Sequence, residues 1–156
     1  MRRSDREIKD KEKIERIIDS CYCLRIGLWD GKEVYMVPLN FGYVIKNDTY
    51  RFYFHGAKEG RKVDILKKNN EVGFEMDTNY QLHEAKEACN FSAGYQSIIG
   101  TGIVSFVEDK EEKIAALKQI MLHVSGTKQW ELKEEMLQAV NVFQLDVKTL
   151  SCKKHL

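Results

Sequence analysis

Across residues 23–77 the apolar positions stop recurring at helical spacing and begin to alternate, which commits this stretch to β-structure. Residues 23–28 form a short apolar run that ends at the turn signal Asp30-Gly31. Residues 33–44 are rich in Val, Tyr, Phe and Met and contain Pro38. Proline cannot donate to a ladder, so this strand lies at an edge or carries a bulge there. Asn47-Asp48 marks the next turn. In residues 49–55, Tyr50, Phe52 and Phe54 alternate with Arg51, Tyr53 and His55, and such residues fit a pleated surface. Three strands joined by short turns predict a meander.

The flanking segments change period. Ile14, Ile17, Ile18 and Cys21 recur at helical spacing behind a candidate N-cap, Asp10, so residues 10–21 are predicted helical. The charged residues 1–9 are expected to form a mobile arm. Residues 60–69 predict a second helix, with Val63 and Leu66 inward. Val72, Phe74 and Met76 alternate in residues 71–77, as in a half-buried strand. Residues 79–94 read as an irregular loop with room for a short strand at 88–91. A long strand covers 95–107, where Gly100 and Gly102 signal a bulge or a close backbone approach. Residues 110–124 predict a helix with Ile114, Leu117, Met121 and Val124 on one face. Ser125-Gly126-Thr127 breaks it. A shorter helix is predicted at 130–139, a strand at 140–147 and a polar tail at 148–156. Six or seven strands that do not alternate regularly with three or four helices fit a doubly wound parallel sheet poorly. They predict one α+β domain over residues 1–156: an antiparallel barrel with peripheral helices.

Charge and composition remove several function classes. Lys and Arg total 25 and Asp and Glu 24, a net charge of +1, without the basic excess of a phosphate-dominated nucleic-acid binder. No apolar run approaches the roughly 20 residues that span a bilayer. Residues 1–7 carry basic groups with no apolar stretch behind them, so they do not read as a signal peptide, and a cytoplasmic protein is the default expectation. Cys21, Cys23, Cys89 and Cys152 form no C-x-x-C pair, so neither a disulfide framework nor a zinc site is expected.

The chemistry concentrates where a strand ends, a loop with two glycines follows and a helix begins: Phe54-His55-Gly56-Ala57-Lys58-Glu59-Gly60-Arg61-Lys62. Backbone N–H groups at a helix start are free to bind an anion. Gly56 and Gly60 allow close approach or unusual dihedrals. Arg61 and Lys62 sit in the first helical turn, where the helix dipole disfavours cations. A bound phosphate would explain them; so would pairing with nearby carboxylates. The loop is not a Walker A sequence. Val37, Pro38, Leu39 and Asn40 combine apolar walls with a polar edge, which suits a flat heteroaromatic ligand or simply a bulged strand. His55 is placed for a ligand contact or a structural hydrogen bond. His83, His123 and His155 read as structural or solvent-exposed. No triad, nucleophile elbow or H-E-x-x-H site is present.

The order V-P-L-N-F-G-Y (37–43), Y-F-H-G-A-K-E-G-R-K-V-D-I-L (53–66) and Y-Q-S-I-I-G-T-G (95–102) resembles the pyridoxamine 5′-phosphate oxidase-like, FMN-binding split β-barrel superfamily. Within it the chain most resembles the 5-nitroimidazole resistance proteins, which share the M-R-R-x-D-R-E start (1–7) and the E-A-C-N-F-S segment (87–92). The resemblance implies a split β-barrel, and a homodimer with flavin at the subunit interface. It implies that Arg61 and Lys62 hold the FMN phosphate, with Gly60 in the same loop. His55, Gly56 and Ala57 would line the flavin and its ribityl chain, and Val37, Pro38, Leu39 and Asn40 the isoalloxazine edge. Tyr95 and Ser97 would contribute across or near the interface. The expected activity is an FMN-dependent oxidoreductase acting on nitroaromatic or other small electron acceptors, with His55 as orienting group or proton donor. FAD is the other flavin that would fit. The chain ends on Ser151-Cys152-Lys153-Lys154-His155-Leu156, without the arginine-rich substrate segment of true pyridoxamine phosphate oxidases. The alternatives are a flavin-storage module without turnover, or a haem-binding split barrel with His55 or His83 as axial ligand.

Overall fold

The computed structural model describes residues 4–155. Eight strands and four helices follow in the order β1 (Glu7–Ile8), α1 (Lys11–Ser20), β2 (Leu24–Trp29), β3 (Val34–Leu39), β4 (Gly42–Lys46), β5 (Thr49–Ala57), α2 (Arg61–Lys68), β6 (Glu71–His83), β7 (Ser92–Val107), α3 (Lys110–Ser125), α4 (Glu134–Ala139) and β8 (Val140–His155). Single 3-10 turns occupy Ser4–Arg6 and Ala88–Asn90. Every strand pairing is antiparallel, in the order β3-β2-β6-β7-β8-β5-β4, with β1 also on β8. The expected α+β architecture, an antiparallel barrel-like sheet with helices at its periphery, is present.

The expected meander is not. β2 pairs with β3 and β4 with β5, but β3 and β4 are the two opposite edges of the sheet. Phe41, between them, is completely buried and packs edge-on against Phe52. Drawing that ring into the core ends β3 and starts β4 in a new place. Pro38 lies on an edge strand, as its missing N–H requires.

The inner face carries the core: Leu24, Ile26 and Leu28 of β2, Phe52 and Phe54 of β5, Phe74 and Met76 of β6, and Phe143 and Leu145 of β8. α1 adds Ile14, Ile17 and Ile18, and the Asp10 carboxylate caps it by accepting from the Lys13 N–H at 2.9 Å. α2 adds Val63, Ile65 and Leu66.

α3 turns a different face inward from the one its sequence suggests. Lys113, Ala116 and Ile120 are buried, Leu117 and Met121 only partly so, and Val124 is exposed. Gly42 supplies the reason. A Cβ there would fall 2.3 Å from the backbone of Gln119, so helix and strand touch main chain to main chain. That contact fixes the rotation of α3 about its axis.

Both long hairpin strands outrun their sequence signals. β6 continues to His83 through an irregularity between Thr78 and Gln81, where Asn79 adopts φ 56°. Such a bulge hides a strand from the period-2 pattern. β7 accordingly starts at Ser92, and residues 88–91 hold a 3-10 turn rather than a strand. Residues 148–155 are not a tail: they continue β8 against β7, after a register shift between Thr101 and Gly102. Gly102 sits at that shift, and a Cβ on it would fall 2.4 Å from the Asp146 carbonyl oxygen. Residues 4–9 of the expected arm instead hold a 3-10 turn and β1, whose Glu7 and Ile8 pair with Lys153 and Cys152. Residues 1–3 and 156 lie outside the described part. α4 is shorter than the expected 130–139 helix, and residues 127–133 are irregular.

Candidate functional site

Alternation along β5 puts Phe54 in the core and His55 on the opposite face, beside α3 and still exposed. The strand ends at Ala57, and Gly60, at φ 133°, redirects the chain into α2. No side chain caps α2, so its first N–H groups keep no side-chain partner. The Asn141 amide nitrogen donates to the carbonyl oxygens of Ala57 at 3.3 Å and Lys58 at 3.0 Å, which pins the loop to β8.

The two cations that open α2 have different fates. Arg61 takes the pairing alternative: its guanidinium binds Asp30 at 3.3 Å, binds Glu33, and stacks over the Tyr35 ring at 4.4 Å. The Asp30 carboxyl is held below its ordinary range, first by the backbone N–H groups of Glu33 and Lys32 and then by Arg61. Lys62 turns the other way. Its ammonium lies 5.5 Å from the centroid of the Phe143 ring, and among the described residues no carboxylate pairs with it. Burial lowers its pKa. Gly56 leaves it room, because a Cβ there would fall 2.5 Å from Lys62 Nζ.

β3 completes the wall. Val37 and Leu39 are half-buried against the core, whereas Pro38 and Asn40 point outward. Tyr35, under Arg61, lies on the same face as Val37. The structure brings His55, Gly56, Ala57, Gly60, Arg61 and Lys62 together at one strand end, loop and helix start, and β3 meets them at Tyr35, under Arg61, while Val37, Pro38, Leu39 and Asn40 follow further along that edge strand. Burial, and then the charge of Lys62, lower the pKa of His55 and favour its neutral form.

A family model for pyridoxamine 5′-phosphate oxidase matches residues 10–154. The chain belongs to the pyridoxamine 5′-phosphate oxidase family. Among solved structures it is similar to a candidate 5-nitroimidazole antibiotic resistance protein from Bacteroides thetaiotaomicron, at 33% identity over 95% of this chain and 86% of that one, with a TM-score of 0.81. The flavocytochrome Anf3 from Azotobacter vinelandii shares the fold at 19% identity and a TM-score of 0.81, over 100% of this chain and 72% of that one. So does an FAD- and heme-binding protein from Mycobacterium smegmatis, at 15% identity and a TM-score of 0.79, over 96% and 73%. A comparison with curated proteins found no match.

Two expected site residues of this family member stand apart from the rest. Val107 and Val142 are ladder partners, and Val142 pairs with His55. Tyr95 lies twelve residues further along β7, opposite His155, and Ser97 lies opposite Lys153. At about 3.3 Å per residue that is roughly 40 Å of strand. Within one chain they do not join the His55–Lys62 group.

Asn141, Asp30, Glu33 and Tyr35 support the site without any prior sign in the sequence. Their partners lie 26 to 84 positions away, and only the fold brings them together. His123 and His155 are structural: His123 Nε2 lies 2.6 Å from the Cys21 carbonyl oxygen, and His155 Nδ1 lies 2.7 Å from that of Ala93. The cysteines are free, and burial pushes the thiols of Cys21 and Cys152 up to about 12 and about 11. Among the described residues no His, Cys, Asp and Glu cluster is placed to hold a metal, and no helix is long and apolar enough to cross a membrane.

Proposed function

We propose that this chain is a flavin-dependent oxidoreductase that holds FMN at the β5–α2 loop and reduces nitroaromatic or other small electron acceptors. The observation that carries this reading is Lys62, a half-buried ammonium with no carboxylate partner among the described residues. Taking an unpaired charge out of water is unfavourable, and a phosphate beside it offsets that penalty. Gly56 provides the matching cradle, since a Cβ there would occupy the space at Lys62 Nζ. These residues fit a phosphate ester, and the apolar edge at Val37, Pro38 and Leu39 beside Asn40 fits a flat heteroaromatic ring with a polar rim.

Lys62 would hold the phosphate, assisted by the free N–H groups that open α2. Arg61, tied to Asp30 and Glu33, would chiefly anchor α2 against the β2–β3 turn. Asn40 would hydrogen-bond the polar rim of the ring, and Pro38 would present an apolar surface without a competing N–H. A bound flavin supplies the electron-transfer chemistry. His55, kept neutral, has one ring nitrogen as donor and the other as acceptor, and so orients a polar group beside it. Tyr95 and Ser97 would reach such a site from a second copy of the chain, which makes a homodimer part of this reading.

The test is an absorption spectrum of the purified protein from about 300 to 700 nm, with chromatography of what heat releases. Flavin bands with FMN in the supernatant are expected. A colourless protein that cannot be reconstituted with FMN or FAD overturns the reading. Reoxidation of the reduced protein by a nitro compound separates an oxidoreductase from a flavin-storage module.

A further inference from the structure

A groove of about 390 Å³ between α1, β1 and the ends of β6, β7 and β8 is lined by cations and by no carboxylate. Lys13 and Arg16 enter it from α1 and Lys154 from β8, around a floor of Ile8 and Ile17. Among the described residues neither lysine has a carboxylate partner, and Arg16 meets Glu12 only at 3.9 Å. Lys13 also stands in the first turn of α1, where the helix dipole disfavours a cation. Beside the groove, Arg6 Nε is buried with no hydrogen-bond partner among the described residues. Arg6 directly precedes the Glu7–Lys153 pair, and continuing that register leads to Lys154. The amides in the groove are set to donate. Asn79, held at φ 56° by the bulge in β6, donates to Gln96 Oε1 at 2.6 Å. That bond occupies the Gln96 oxygen and leaves its Nε2–H groups for an acceptor.

We propose that this groove binds a small phosphate monoester, with its head between Lys13, Arg16 and Lys154 and its apolar body on Ile8 and Ile17. Charge and hydrogen bonding choose the head. A phosphate monoester brings close to two negative charges and three acceptor oxygens, whereas a carboxylate brings one charge and two oxygens. Three cations and the Gln96 amide offer donors in the number the phosphate can use, and bonds between charged partners are the strong ones. The isoleucine floor chooses an organic ester over a bare anion, because it rewards apolar area taken out of water. The volume lies within the roughly 300–1,000 Å³ of ordinary ligand sites. This site is separate from the β5–α2 loop. Gln96 lies next to Tyr95, far along β7 from the His55–Lys62 group, and alternation sends it to the face opposite Tyr95 and Ser97. The proposal therefore does not depend on the flavin reading.

Isothermal titration calorimetry of the full chain tests this, with phenyl phosphate as the probe. The titration is run in the parent and in Lys62→Ala, which takes the β5–α2 loop out of the count. Saturable binding is expected in both. Adding Arg16→Gln or Lys154→Gln to either should weaken it roughly tenfold, the loss of one charge-assisted hydrogen bond. The Arg16 side chain is 69% exposed, so its replacement should leave the melting temperature unchanged, and a thermal melt of each variant checks this. Inorganic phosphate, the head without the body, should bind roughly fivefold more weakly than phenyl phosphate. Benzyl alcohol, the body without the head, should give no saturable heat. Binding that is absent from Lys62→Ala overturns the proposal, because the probe then sits at the β5–α2 loop. Binding that survives both Arg16→Gln and Lys154→Gln unweakened overturns it as well. Inorganic phosphate binding as tightly as phenyl phosphate overturns the ester and leaves a bare anion site. A protein that takes up no flavin yet shows the expected pattern supports this site while the flavin reading fails.

Discussion

The Lys62 ammonium occupies the space that a side chain at Gly56 would fill: a Cβ on Gly56 would lie 2.5 Å from Lys62 Nζ. Gly56 is not among the glycines with positive φ, so alanine is compatible with its backbone. The atom it would strike is the far end of a flexible side chain, which can move at little cost. Gly56→Ala should therefore leave the melting temperature nearly unchanged while displacing the ammonium and weakening FMN about tenfold. Equilibrium dialysis against FMN, beside a thermal melt, checks both. A variant that binds FMN as the parent does removes Lys62 from the phosphate site.

Lys62 and Arg61 are neighbours in sequence with separable roles. Lys62→Ala removes a charge-assisted hydrogen bond and should raise the FMN dissociation constant by roughly 10- to 100-fold. Arg61→Ala should affect FMN less and the melting temperature more, because Arg61 ties α2 to Asp30 and Glu33. Burial lowers the Lys62 pKa, so FMN affinity should fall as pH rises through that lowered value and the ammonium is lost. Titrating FMN at several alkaline pH values, in parent and Lys62→Ala, shows whether the pH dependence belongs to Lys62.

Two glycines on neighbouring strands should respond in opposite ways to one methyl group. At Gly100 a Cβ would fall 2.3 Å from both the Phe74 ring and the Thr149 carbonyl oxygen. At Gly73 the nearest atom within reach, the Gly100 carbonyl oxygen, lies at an ordinary 3.9 Å. Gly100→Ala should destabilise the protein by about 1–3 kcal/mol through overpacking, and Gly73→Ala by much less. Urea unfolding of the two variants decides it; equal midpoints would mean that β6 and β7 do not pack as described.

His55 should make the protein more sensitive to acid. Its pKa is lowered by burial and then by Lys62, from an ordinary value of 6.5. As pH falls below that value the unfolded chain takes up a proton that the folded one resists, so stability declines. Above it the group is neutral in both states and contributes nothing to the slope. His55→Gln should flatten the stability profile between about pH 6.5 and 5. Denaturant melts across that range measure the slope, and an identical slope in the variant would place the acid sensitivity elsewhere.

Much of the site was legible because it is nearly contiguous. His55, Gly56, Ala57, Gly60, Arg61 and Lys62 span one strand end, one loop and one helix start, so local chemistry alone marks them as an anion-binding candidate. The motif order then carried the family resemblance. The errors arose where tertiary contacts overrule local pattern. The helical face Ile114–Leu117–Met121–Val124 is a sound amphipathic reading, yet the backbone contact at Gly42 rotates α3 so that Lys113 faces inward. Residues 148–155 look like a polar tail because four of the last six residues described are polar or charged, yet β7 and β1 pair with them on both sides.

The sequence by itself determined the elements whose cause is local. Alternation produced β5, the Asp10 cap and the isoleucine spacing produced α1, and Pro38 required an edge strand. It also determined the family, through motifs that need no fold to be read. Only the tertiary structure decided that β3 and β4 part to opposite edges, that Arg61 is satisfied by Asp30 and Glu33 while Lys62 is not, and that Leu117 and Met121 line a cavity beside His55. Each of these depends on residues tens of positions apart meeting in space, and burial and pairing are properties of such meetings rather than of residue order.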